Sequence, residues 1–175
     1  MKFVYIFFLF SLTSFAQKEI TDSLGNFYVI KNKLNWIKHY QLDDINELDR
    51  QLRENAFTSN LRILDFETSA VTNAFQLNAN GLPQYAQSDY TAFISIDIYH
   101  DSFRVTINDV SFPDFVVEDL NYNAISRNSR GGTLDYYNLK QGEEIKRINS
   151  TVNVLYSFDK SFEEIFDSIA VPIEN

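Results

Sequence analysis

The sequence predicts an α+β fold, an antiparallel sheet with N-terminal and C-terminal helices packed on one face. Three observations predict it. Residues 90–112 alternate apolar and polar side chains in two runs joined by a short turn. Residues 27–52 repeat apolar side chains at spacings of three and four. Phe158, Phe162, Ile165, Phe166 and Ile169 do the same near the C-terminus. Alternation marks a half-buried strand, and the longer spacing marks one face of a helix.

The chain opens "MKFVYIFFLFSLTSFAQ". Lys2 is a short positive region, Phe3–Leu12 is apolar, and Ser14 and Ala16 are small residues at the positions a signal peptidase reads. Residues 1–16 are therefore expected to be a signal peptide cleaved before Gln17. The apolar run is too short to span a bilayer, so no stable membrane span is expected after cleavage. Residues 17–175 are expected to form a single α+β domain with a long irregular loop at about 113–150. A chain of 175 residues can bury a sizeable core. It has no Cys, which excludes disulfides, a thiol nucleophile and Cys-based metal sites.

In "FYVIKNKLNWIKHY", Phe27, Ile30, Leu34 and Ile37 predict a first helix, with Trp36 and Tyr40 beside that face. Ile45, Leu48 and Leu52 continue with a second, and Asp43 and Asp44 suit its N-terminus. Asp43, Asp44, Glu47 and Asp49 read as cap and solvated face rather than as a cation site, because no calcium-loop pattern accompanies them. "LRILDFE" and "AVTNAFQLN" read as strands, and "NANGLPQYAQSD" as a loop.

Residues 90–112 carry the clearest pattern. With His100-Asp101 as the turn, Ile98 faces Phe103, Ile96 faces Val105 and Ile94 faces Ile107. Asp97 then meets Arg104 and Ser95 meets Thr106 on the other face. A slip of one residue would set apolar against polar side chains, so the register is strongly specified. A two-residue turn predicts positive φ at one or both central residues. Beyond residue 112 the periodicity fades, with a short strand expected near Leu134–Leu139. Val152, Val154 and Tyr156 suggest a strand, and Asp159 or Ser161 would cap the closing helix.

His100, Asp101 and Ser102 are the residue types of a serine-hydrolase triad. As neighbours in a tight turn they point apart, and no Gly-x-Ser-x-Gly elbow occurs. No catalytic residue is therefore assigned. His39 and His100 are the only histidines, too few for a zinc site, and neither a metal nor a cofactor is expected. "SRGGTL" lacks the spacing of a phosphate loop. Net charge is −9, and loss of Lys2 with the leader makes it −10. Phosphate backbones are repelled by such a charge, so no nucleic-acid partner is expected, whereas cationic partners are favoured. Arg127, Arg130, Tyr136 and Tyr137 form a candidate contact surface, since Arg and Tyr are enriched at binding hot spots.

Trp36 and Tyr40, the hairpin "IDIYHDSFRVTIND", the segment "SFDKSFEEIFDSI" and the leader end "SFAQ" together resemble exported Bacteroidetes proteins of the DUF4468 group, an uncharacterised family with a TBP-like fold. The resemblance implies helices over one face of an antiparallel sheet and export to the periplasm or the extracellular space. It implies no activity. The expected function is an exported, non-catalytic binding or interaction domain of the bacterial envelope, contacting a protein or envelope component through the wet hairpin face or the 113–150 loop. The alternative is a small secreted hydrolase using carboxylates.

Overall fold

The computed structural model describes residues 20–115 and 132–173. The expected signal peptide, and Arg127 and Arg130, lie outside them. Strands β1 (Ile20–Leu24), β2 (Phe27–Ile30), β3 (Lys33–Gln41), β4 (Glu67–Val71), β5 (Thr91–Ile98) and β6 (Ser102–Ser111) form one sheet. Its order is β1-β2-β3-β6-β5-β4, antiparallel throughout. Helices α1 (Ile45–Glu54), α2 (Leu134–Asn138) and α3 (Asn149–Asp167) contribute to the core on its buried face. The expected fold class is the observed one. Strands β7 (Leu139–Lys140) and β8 (Glu144–Ile145) form a separate small hairpin. No helix among the described residues is long and apolar enough to cross a membrane.

The helix expected over residues 27–40 is two strands, β2 and β3. Ile30 pairs with Lys33 across a turn in which Lys31 and Asn32 both have positive φ. Such a turn reverses the chain with the twist that hairpins favour. The buried residues Phe27, Val29, Leu34, Trp36 and Tyr40 fall on one face by alternation within each strand. Because the turn interrupts the alternation, the combined spacing imitates a helical repeat, and Ile37 in fact points to the opposite face.

The hairpin β5–β6 adopts the expected register, with Ile98 opposite Phe103, Ile96 opposite Val105, Ile94 opposite Ile107 and Asp97 opposite Arg104. Neither His100 nor Asp101 has positive φ, contrary to the expectation. The turn is tied instead to a neighbouring segment, where the Leu42 N–H donates to the Asp101 carbonyl at 3.0 Å. Farther along, Asp109 takes φ +49° where the β5–β6 register shifts. This bulge resets the alternation so that Val110 and Phe112 stay buried.

The strand expected around Val152–Tyr156 is the first half of α3. Thr151, Val154, Leu155, Phe158, Phe162, Ile165 and Phe166 are all buried, a helical repeat through the whole element. Tertiary burial overrides the local β preference of the valines. Asp159 and Ser161 consequently sit inside the helix and cap nothing. Phe162 lies edge-on to Trp36, with ring centroids 5.4 Å apart, and Tyr40 stacks on Phe103 at 5.3 Å.

Three smaller differences concern local anchoring. "LRILDFE" is not a strand until Glu67, because a turn at Leu61 and an Ile63 N–H donated to Asp49 shape that segment. Of "AVTNAFQLN" only Ala70 and Val71 belong to β4, and Phe75 makes a single bridge to Tyr90. The strand expected near Leu134–Leu139 is α2, capped by Thr133, whose side chain accepts from the Tyr136 N–H. Within the expected irregular loop, residues 132–150 thus hold α2, β7, β8 and the start of α3.

Candidate functional site

A cleft of about 290 Å³ opens where the C-terminal end of β3, the first turns of α1 and the chain leaving α3 meet. Each wall has a local cause. Asp44 starts α1 by accepting the Asn46 N–H at 2.8 Å, a side-chain cap of the usual kind. Leu48 on the inner face of α1 is buried, while Glu47 on its outer face pairs with Arg50 at 2.5 Å. The cap expected at Asp43 and Asp44 is therefore made by Asp44. Asp49 accepts from the Ile63 N–H and pairs with Arg53.

The opposite wall is fixed by a match between strand and helix geometry. Two residues along a strand advance about 6.6 Å, and four along a helix advance about 6.0 Å. Trp36, Lys38 and Tyr40 therefore keep step with Asp159, Glu163 and Asp167. Trp36 Nε1 donates to Asp159 at 2.6 Å, and Asn26 Nδ2 donates to the same oxygen at 2.9 Å. Lys38 Nζ bonds Glu163 at 2.8 Å and Asp167 at 3.2 Å. Tyr40 OH donates to Asp167 at 3.1 Å. Burial, reinforced by the Asp167 charge, holds the Tyr40 phenol well above its ordinary value. Burial pulls the Lys38 ammonium down, but its bonds to Glu163 and Asp167 outweigh that and raise it.

This ladder carries the end of α3 to the cleft. The chain then continues through Ser168–Val171, and the Gln41 N–H donates to the Val171 carbonyl at 2.9 Å. The lining combines Leu42, Leu48, Phe103, Ile169 and Val171 with the carboxylates of Asp43, Asp44, Glu47 and Asp167. Among the described residues it holds no lysine, arginine or histidine.

A glycosidase pair requires one carboxyl held protonated by its surroundings. Such a group exists in Asp135, pushed up to about 6 by burial, partly opposed by the Leu34 N–H it accepts. Leu34 is at the other end of β3 from the cleft, and Asp135 is no part of the lining. No group of His, Asp and Glu among the described residues could hold a metal ion. His100, Asp101 and Ser102 occupy the hairpin turn and its first strand residue, as expected.

The face of the sheet that the described residues leave uncovered is self-paired in its polar part. Arg104 bonds Asp97 at 2.5 and 2.9 Å, and Asn108 donates to Asn35 at 3.3 Å. Burial and the adjacent Arg104 lower the His39 imidazole. Tyr136 and Tyr137 separate on α2. Tyr136 is 72% exposed, while Tyr137 stacks on Tyr85 at 3.9 Å.

Sequence reasoning assigned the acids of α1 to capping and solvation and missed their meeting with Asp167 and Ile169. The readable signal was the pairing of Trp-x-Lys-x-Tyr at positions 36–40 with acids four residues apart at 159, 163 and 167.

The chain matches no family model and no curated protein, so membership of the DUF4468 group stays an expectation. It is similar to a TBP-like protein of known crystal structure from Parabacteroides distasonis. The two share 11% identity with a TM-score of 0.49, over 79% of this chain and 94% of the other.

Proposed function

We propose that this protein is an exported, non-catalytic binding domain of the periplasm or extracellular space, and that the cleft between α1 and the end of α3 is its binding site. The carrying observation is a cleft of about 290 Å³ lined by apolar and polar residues together, the composition of a binding pocket. The carboxylates there have structural tasks: Asp44 caps a helix, Glu47 pairs with Arg50 and Asp167 holds Lys38 and Tyr40. Export rests on the leader pattern of residues 1–16.

Ala170 lines the cleft, and Ala170→Trp fills it. The purified mature chain is expected to retain an envelope component that the Ala170→Trp variant, folded by circular dichroism, does not. Equal retention by both sets the proposal aside. Mass spectrometry of the exported form should place its N-terminus at Gln17; a form that keeps residues 1–16 contradicts export by cleavage. Of the expected contact surface of Arg127, Arg130, Tyr136 and Tyr137, Tyr137 is packed against Tyr85, and the remaining three are proposed as a second contact, supported by the exposure of Tyr136. Loss of partner retention in Tyr136→Ala supports it, and unchanged retention removes it.

A further inference from the structure

We infer that the outer edge of β4 pairs antiparallel with the same strand of a second copy of this chain, closing a two-fold dimer whose sheet runs on from one copy to the other. The inference goes beyond the binding site, since no residue of β4 lines the cleft. β4 is the last strand on its side of the sheet. The Ile98 N–H donates to the Phe66 carbonyl and the Thr72 N–H to that of Ala92, so the backbone groups of Phe66, Thr68, Ala70 and Thr72 face β5. Those of Glu67, Ser69 and Val71 therefore face outward. Asn60 Nδ2 donates to the Val71 carbonyl at 3.2 Å. The outward N–H and C=O groups of Glu67 and Ser69 have no partner among the described residues. Such an edge is a template for another strand unless something blunts it. The opposite edge is blunted: β1 carries a bulge between Ile20 and Asp22, and Thr21 and Asp22 bond to Glu143, Ile145 and Arg147. β4 has no bulge, no proline and no lysine.

The strand is complementary to itself. With Asn60 on the Val71 carbonyl, the two open residues exchange with each other, Glu67 with Ser69 of the second copy and Ser69 with its Glu67. Four backbone hydrogen bonds form, and the two-fold axis passes beside Thr68. Thr68 then faces its own counterpart and Phe66 faces Ala70 of the second copy, the closely spaced kind of cross-strand pair. On the other face Glu67 lies beside Ser69 of the second copy, so no acid of this strand opposes its like. Leu64 and Phe66 are 84% and 79% exposed, the two most exposed large apolar residues among those described, and Val71 is 57% exposed. Their gathering within and just before one edge strand marks a surface that another chain covers. Association stops at two, because a two-fold contact uses the same edge of both copies and the β1 edge is closed. The interface is small, near the lower limit of about 1,200 Å² for specific contacts. A reversible dimer is therefore expected, with a dissociation constant on the order of micromolar.

The test is sedimentation equilibrium of purified residues 17–175 over a concentration series, joined to a thiol trap that the absence of Cys makes specific. The mass is expected to pass from one copy to two, and at lower concentration when salt screens the net charge of −9. Ser69→Pro removes an outward N–H and leaves the bonds to β5 intact. Phe66→Asp sets a charge against Ala70 of the second copy. Each change enters the contact twice and should weaken association at least about tenfold, with folding checked by circular dichroism. Phe66→Asp alters an exposed side chain and decides the outcome if Ser69→Pro fails to fold. Thr68→Cys places two thiols across the axis, their Cα atoms about 4.5 Å apart, within the span of a disulfide. It should oxidise to a covalent dimer, and Thr106→Cys on β6 should not. A wild-type chain that stays monomeric overturns the inference. So does a dimer that neither variant weakens, or one that Thr68→Cys does not trap. Assemblies that grow beyond two overturn the closed two-fold pairing.

Discussion

Asp159 holds two donors with one oxygen, the Trp36 indole and the Asn26 amide. Trp36 is fully buried, so its N–H has no water to turn to if the carboxylate is removed. Asp159→Ala is expected to cost about 2–3 kcal/mol, the scale of a bond to a charged group with its donor left unpaired. Urea unfolding checks this, and Asp159→Asn should recover part of the loss. Gly25 lies beside the same carboxylate at φ +58°, and an added Cβ would meet Asp159 Oδ2 at 2.6 Å. Gly25→Ala is expected to destabilise by more than about 1 kcal/mol, strain and clash acting together. Asp135 behaves differently. Its carboxyl is raised to about 6 from 3.8, so the folded chain binds that proton more tightly than the unfolded chain. Its contribution to stability is present at low pH and is lost as pH rises from about 4 to about 6. Asp135→Asn removes the ionisation while still offering Leu34 an acceptor. Its stability relative to wild type is expected to rise across that window, by on the order of 2 kcal/mol at neutral pH. His39 acts in the opposite sense, since its lowered value makes protonation on acidification unfavourable to folding. The difference between variant and wild type isolates Asp135.

Elements were legible where one local pattern decided the structure. The β5–β6 hairpin could be read to its register because six apolar residues and an opposite-charge pair admit a single alignment. Helix α1 was readable from Leu48, Leu52 and its aspartate cap. The β2–β3 hairpin was not, because its turn is Lys31-Asn32 rather than a glycine pair, and Leu34 and Ile37 continue a helical spacing by coincidence. Lys31 in the left-handed region bears a cost that Asn or Gly bears less. Replacing Lys31-Asn32 by Asn-Gly is expected to stabilise the fold by about 0.5–1 kcal/mol, read as a higher urea midpoint at unchanged slope. The first half of α3 was hidden by its valines, whose local preference yields to burial of that helix face, where Phe158 packs against Tyr90 and Phe112. The cleft was illegible for a related reason. Its walls come from residues 41–51 and 167–171, and only the closed sheet shows that they meet.

At the scale of the whole molecule, the sheet is covered by helices on one face, and its other face carries ion pairs already satisfied within the strands. The cleft at the end of β3 is instead lined by apolar and acidic residues together. The central claim is that partners engage there. The most direct measurement is site-specific photo-crosslinking of the protein in the cells that produce it. A crosslinker at Val171 beside the cleft is compared with one at Thr106 on the uncovered sheet face. The account predicts a discrete adduct from Val171 that disappears when Ala170→Trp fills the cleft, and none from Thr106. An adduct from Thr106 alone, or a Val171 adduct indifferent to Ala170→Trp, would contradict it.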